Sequence, residues 1–249
     1  MLYGGNMIEE FSKYVSYYDM DVVEIRRKYY HSLRVMNLAR KYAKLLNFSD
    51  EDIKLASVIG LLHDIGRFEQ FKMYHTFDDF KSIDHADYGV QLLQQNHLLK
   101  RFYQTDNEED YHIIFFAIKN HNKLVIHNID CSERYMMHAK LVRDVDKLDL
   151  IFLVGDLKEV HYLSVNEDVS FKVMEAVKKH ISANKRDVMN VNDKIALKFC
   201  FAFDINYGIC LKELRRNFVH FYDAIDDKYY KLKDVYLEVM NYIDNKLNE

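Results

Sequence analysis

His63 and Asp64 adjoin at the end of an apolar run, Leu61-Leu62-His63-Asp64-Ile65-Gly66-Arg67. Two ionisable groups that finish a buried segment must offset their desolvation, through a metal ion, a salt bridge or hydrogen bonds. Imidazole nitrogen with carboxylate oxygen suits Zn, Mn, Fe, Ni or Co better than an ion that prefers thiolates. Two residues cannot complete a metal site, so the remaining ligands must come from elsewhere in the chain.

Helices are the elements available to bring them. The sequence has no proline and only seven glycines, which removes the commonest helix breakers. From Asp21 to Leu46 the apolar positions fall three or four apart, and His31 opens an inward line with Val35, Leu38, Tyr42 and Leu45. Ser49 and Asp52 resemble a capping box for a central helix over Asp50–His63, apolar on nearly every side. Gly66 fits the left-handed position past that helix, and residues 67–83 read as an irregular loop. Asp84 caps a helix to about Gln95 that carries His85, with Gly89 one turn on. Glu108–Asn120 leads to His121, and 133–154 forms a long helix. Further helices are expected near 168–182, 191–203, 208–216 and 218–246.

The expected fold is therefore all-α: a single compact helical domain, with residues 1–20 as an arm, 21–155 as the metal-binding core and 156–249 as helices packed on it. The 249 residues are 49% hydrophobic and 14% aromatic, ample for a core of that size. No apolar run is long enough to span a membrane and the N-terminus does not read as a signal peptide, so the expected location is cytoplasmic. Cys131, Cys200 and Cys210 are odd in number and widely spaced, which argues against a disulfide framework and a thiolate zinc site. With 35 basic against 39 acidic residues the net charge is −4, without the basic tract of a duplex-binding protein. A small anionic ligand held by a few cations remains compatible.

Inward-facing candidates are thus His31, His63, Asp64, His85, His121 and an acid of the 133–154 helix. Asp144 and Asp146 lie two residues apart, about 200° of helical rotation, and periodicity favours neither. Taken in order, Tyr-His31-Ser-Leu-Arg-Val, Leu-Leu-His63-Asp64-Ile-Gly-Arg and Arg-Asp-Val-Asp146-Lys-Leu-Asp resemble the HD-domain superfamily of metal-dependent phosphohydrolases, over about residues 28–150. The resemblance implies that His31, His63, Asp64 and Asp146 surround one metal, leaving Asp144 to orient a ligand histidine. It also implies that His85, in Asp-His-Ala-Asp-Tyr-Gly, and His121, in Lys-Asn-His-Asn-Lys, are the additional histidines of binuclear members. Asp64 would then bridge two ions. Where such members often have consecutive histidines, this chain has His121 followed by Asn122.

The expected function is hydrolysis of a phosphomonoester or phosphodiester, in a nucleotide or another small metabolite, using one or two divalent ions (Mn, Fe, Zn, Ni, Co or Mg) to activate water. Asp64, Arg67 and Lys147 are the expected catalytic residues, the two cations holding phosphate, while Lys81 suits a surface salt bridge better. The partner is a small phosphorylated substrate, with no duplex nucleic acid and no membrane. Two other readings use the same scaffold: a di-iron oxygenase and a non-catalytic ligand-binding regulator. His75, His97, His112, His127, His138, His161, His180 and His220 have no aligned second ligand and read as structural.

Overall fold

Helix α3 (Asp50–Leu62) is where the apolar pattern is densest, and in the computed structural model every residue from Leu55 to Leu62 is buried. Ser49 starts it as expected, its hydroxyl accepting from the Asp52 amide at 3.1 Å. Helix α2 (Val23–Leu45) packs along α3, and Gly60 sets how closely. A Cβ there would stand 2.9 Å from the Val35 carbonyl oxygen and 3.0 Å from Met36 Cα, contacts that a side chain cannot make without moving backbone. Glycine thus lets the helix bearing His31 lie against the one that ends in the doublet.

The structure describes residues 3–127, 132–154, 167–223 and 230–249. Among them the secondary structure is helical and no strand occurs. They divide into two compact units, Met1–Val145 and Asp146–Glu249. The division falls within the long helix α8 (Glu133–Val154). In the first unit, α1 (Tyr3–Val15) buries Phe11 and Val15. Phe11 stacks on Tyr29 with ring centroids 5.8 Å apart and meets Phe68 edge-on at 5.9 Å, so the N-terminal segment contributes to this core.

Two local expectations are corrected. Gly66 is not left-handed, since no described glycine has positive φ; it opens helix α4 (Gly66–Tyr74) inside the stretch read as loop. The left-handed turn falls at His75, with φ 53°, which ends α4. Buried Gly66, Arg67, Phe68 and Gln70 lie around much of this short helix, so it carries no one-sided apolar stripe for the sequence to betray. What Gly66 supplies is proximity. A Cβ on it would lie 2.2 Å from the His85 carbonyl oxygen and 2.9 Å from the Gly89 amide, so only glycine lets α5 (His85–Gln94) approach the doublet. Asp84 caps α5 by accepting from the amides of Ala86 and Asp87 at 3.0 and 3.1 Å.

After the short α6 (Leu98–Phe102), α7 (Glu108–Asn120) begins with Asn107 accepting from the Glu109 amide. It ends in the grip of buried Arg143 on α8, whose Nη1 donates to the carbonyls of Asn120 and Lys123 at 2.7 and 2.6 Å. The second unit is built on α9 (Phe171–Lys178), α10 (Val191–Phe199), α11 (Gly208–Asp223) and α12 (Tyr230–Asn248), around Val177, Phe199, Phe218, Val239 and Ile243. The expected break near residue 217 is absent, because Phe218 continues the apolar face of α11 onto Phe199, 5.1 Å away. Of the cysteines, Cys200 and Cys210 are buried; Cys131, His161 and the boundary at Gly155 lie outside the described residues.

Candidate metal centre

Asp64 lies at the middle of the site, buried in the turn between α3 and α4. Its two oxygens face different pairs of imidazoles. Oδ2 lies 3.4 Å from His31 Nε2 and 3.5 Å from His63 Nε2, while Oδ1 lies 3.1 Å from His85 Nε2 and 3.7 Å from His121 Nε2. All four histidines are buried. Ligand atoms of His31, His63 and Asp64 fall within 4.8 Å of one another, as do those of Asp64, His85 and His121, and those of His63, His121 and Asp146. Every metal-ligand candidate named from the sequence is therefore in one of these groups. Asp146, half-buried, is in one of them; Asp144, fully buried two residues earlier, is in none.

The hydrogen bonds on the far sides of the rings assign the tautomers. A carbonyl oxygen only accepts, so His63 Nδ1 donates to Gly60 O at 2.8 Å and His121 Nδ1 to Ile118 O at 2.6 Å. His85 Nδ1 donates to the Asp79 carboxylate at 2.8 Å. In their neutral forms these rings point bare Nε2 lone pairs inward. His85 Nε2 and His121 Nε2 are 3.0 Å apart, and His63 Nε2 is 3.2 Å from His31 Nε2. The lone pairs of His85 and His121 repel at their distance unless a cation lies against both. Burial pushes the His121 imidazole down to about 4, so at neutral pH it is not itself the cation. Oriented nitrogens and a shared carboxylate fit a divalent metal, and these clusters could bind one.

The carboxylates are held ionised. Burial pushes Asp64 upward, yet the Lys28 ammonium first, and then the imidazoles that face it, outweigh it and hold the carboxyl well below its ordinary range. Asp79 behaves likewise: desolvation is overcome by His85, Arg67 and Gln70. Sequence reasoning missed both Lys28 and Asp79. Lys28 Nζ donates to Asp64 Oδ2 at 2.5 Å, and its spacing of three from His31 was the available signal. Asp79 sits in the stretch read as loop, where nothing in the sequence marks a partner for His85 six residues on.

The cations expected to hold phosphate are engaged elsewhere. Arg67 is buried, and its Nη1 donates to Asp79 Oδ1 at 2.7 Å, to Phe77 O at 2.7 Å and to Gln70 Oε1 at 2.8 Å. Its Nε stands 3.5 Å from Asp64 Oδ1. Lys147 pairs with Asp204 at 2.7 Å. Lys81, largely exposed, lies 3.6 Å from Asp78, the surface pair expected of it. His138 has a strong partner that the sequence did not reveal: Asp52, at 2.9 Å.

Among the described residues no helix is long and apolar enough to cross a membrane. No curated protein and no solved structure matches the chain. The family model of the HD domain matches residues 29–151, a span that holds His31, the His63-Asp64 doublet, His85, His121 and Asp146 in order. With that match and the buried His/Asp clusters it encloses, residues 29–151 are an HD domain, of a superfamily of metal-dependent hydrolases.

Proposed function

We propose that the chain hydrolyses phosphoric esters, a phosphomonoester or phosphodiester of a small metabolite, with nucleotides among the candidates. The observation that carries this reading is Asp64, with one oxygen turned to each of two pairs of buried imidazoles. His31, His63, Asp64 and Asp146 would hold one divalent ion, and Asp64, His85 and His121 a second. When bound, such ions activate water for attack on phosphorus and neutralise charge on the phosphoryl oxygens. The chain's own groups prepare the place. Gly60 O, Ile118 O and Asp79 fix three imidazoles with Nε2 inward, as partners behind metal ligands do. Arg67, between Asp64 and Asp79, serves as a positioning residue for both carboxylates. Lys147 would have to release Asp204 before meeting a ligand.

The test is to strip the full-length protein with chelator, reload it separately with Mn, Co, Ni or Mg, and assay chromogenic phosphoesters and a nucleotide panel. Metal-dependent release of phosphate or of the alcohol is expected, with loss of both metal and turnover in Asp64→Ala. Silence with every metal, while metal is demonstrably bound, overturns the reading. Turnover that requires iron and consumes dioxygen assigns the same scaffold to oxygenase chemistry instead.

A further inference from the structure

Lys28 is one helical turn before His31 on α2, so both side chains leave the same face. Its ammonium reaches Asp64 Oδ2 at 2.5 Å, and that oxygen also lies 3.4 and 3.5 Å from the Nε2 atoms of His31 and His63. The ammonium therefore binds the carboxylate oxygen that a metal ion held by His31, His63 and Asp64 would need. The two cations would compete for one carboxylate oxygen and repel each other at close range. Lys28 is also the cation placed to give way. Its side chain is 19% exposed against 4% for Asp64, and it rests against the Phe77 ring with Nζ 5.6 Å from the centroid. Arg67, against the same ring at 5.7 Å, cannot move so freely, because Asp79, Gln70 and the Phe77 carbonyl hold its guanidinium. A lysine stem is flexible and ends in a compact charge.

We infer that Lys28 is an exchangeable counter-cation: it neutralises Asp64 in the metal-free protein, yields that oxygen to the divalent ion, and then presents its ammonium to an anionic oxygen of the phosphorylated ligand. Lys28 is thereby the ligand-binding cation of the site, in place of the engaged Arg67 and Lys147. The inference rests on the metal-dependent reading above and adds a residue to it. It predicts opposite effects on two affinities. Removing the ammonium frees Asp64 for metal, and it deprives a bound phosphate of a charged hydrogen bond.

The experiment compares full-length wild type, Lys28→Met and Lys28→Arg, using Mn(II) binding by equilibrium dialysis and inorganic phosphate binding to the Mn-loaded proteins by calorimetry. In Lys28→Met the Mn(II) dissociation constant is expected to fall about tenfold and that of phosphate to rise about tenfold, the scale of one charged hydrogen bond. Lys28→Arg keeps the charge and is expected to bind phosphate within about threefold of wild type. A residue that merely supports the fold would weaken both affinities together. Unchanged or weaker Mn(II) binding in Lys28→Met overturns the inference, as does unchanged phosphate binding. If Lys28→Met does not fold, a tenfold loss of phosphate binding in Lys28→Arg overturns it, and retention supports it. Wild type that binds no Mn(II) overturns both this inference and the metal-dependent reading, whereas Mn(II)-binding wild type with unaltered Lys28 variants overturns this inference alone.

Discussion

Asp79 shows what a single residue outside the ligand set does. It accepts from His85 Nδ1 at 2.8 Å, from Arg67 at 2.7 Å and from Gln70 Nε2 at 2.9 Å. One carboxylate thus fixes a ring tautomer, neutralises a buried guanidinium and anchors the turn after α4. Asp79→Asn keeps the shape but can present an amide N–H to His85, which would favour the tautomer with Nδ1 bare and Nε2 protonated. The expected outcome is a 10–100-fold loss of metal affinity, as for other partners behind metal ligands, in equilibrium dialysis. The loss should fall on one bound ion if two are present. An unaltered binding isotherm would show that backbone geometry alone aims His85.

Elements place these residues, and two helix contacts are decisive. Where α4 meets α5, Gly66 leaves no room for a Cβ against the His85 carbonyl at 2.2 Å. Gly66→Ala must push backbone apart, an overpacking cost of about 1–3 kcal/mol or more, and moves His85 away from Asp64. Urea denaturation should show the destabilisation, and dialysis a weakened metal site in the protein that still folds. At the other end of α3, Asp52 accepts from His138 Nε2 at 2.9 Å and from Arg134 Nε at 2.8 Å, both on α8. His138 first, then Arg134 and Ser49, outweigh desolvation and depress the Asp52 carboxyl below its ordinary 3.8. The sign follows from linkage: a carboxyl depressed on folding adds stability above pH 3.8, and that contribution fades as pH falls from there through the lower folded value. Wild type should therefore lose stability over this acid window, and Asp52→Asn should be less stable at neutral pH with a flatter acid limb. Parallel curves for the two proteins would remove Asp52 from the acid response.

For the whole molecule, the consequence of a buried ligand set is linkage between metal and folding. An ion that binds the folded chain and not the unfolded one stabilises it by about 2.7 kcal/mol at a hundredfold excess over its dissociation constant. Thermal unfolding of the stripped protein should shift upward with added Mn(II), and Asp64→Ala should remove the shift. A melting temperature indifferent to every divalent ion would separate the His/Asp clusters from metal binding. The same experiment bears on the energetic cost of assembling these imidazoles around one carboxylate, since the bare lone pairs of His85 and His121 oppose each other across 3.0 Å.

Helix extents were largely legible because periodicity and caps are local: Ser49 and Asp84 each begin their helix in the structure, and the bounds 108–120 and 133–154 recur unchanged. The ligand types were legible for a similar reason, since an imidazole on an apolar helix face declares its inward direction without reference to a partner. By itself, then, the sequence determined an all-helical chain and the inward groups His31, His63, Asp64, His85 and His121, with the choice of Asp146 over Asp144 coming from family resemblance. Which groups meet is a long-range property that no local pattern encodes, as Lys28 on Asp64 across 36 residues and Arg143 on Asn120 across 23 show. Only the tertiary structure decided that Lys28 sits at the shared carboxylate, that Arg67 is held by Asp79, that α4 replaces a loop, and that Gly66 serves close approach. Each depends on packing between elements, where a distance of a few ångströms selects one partner among several of the same chemistry.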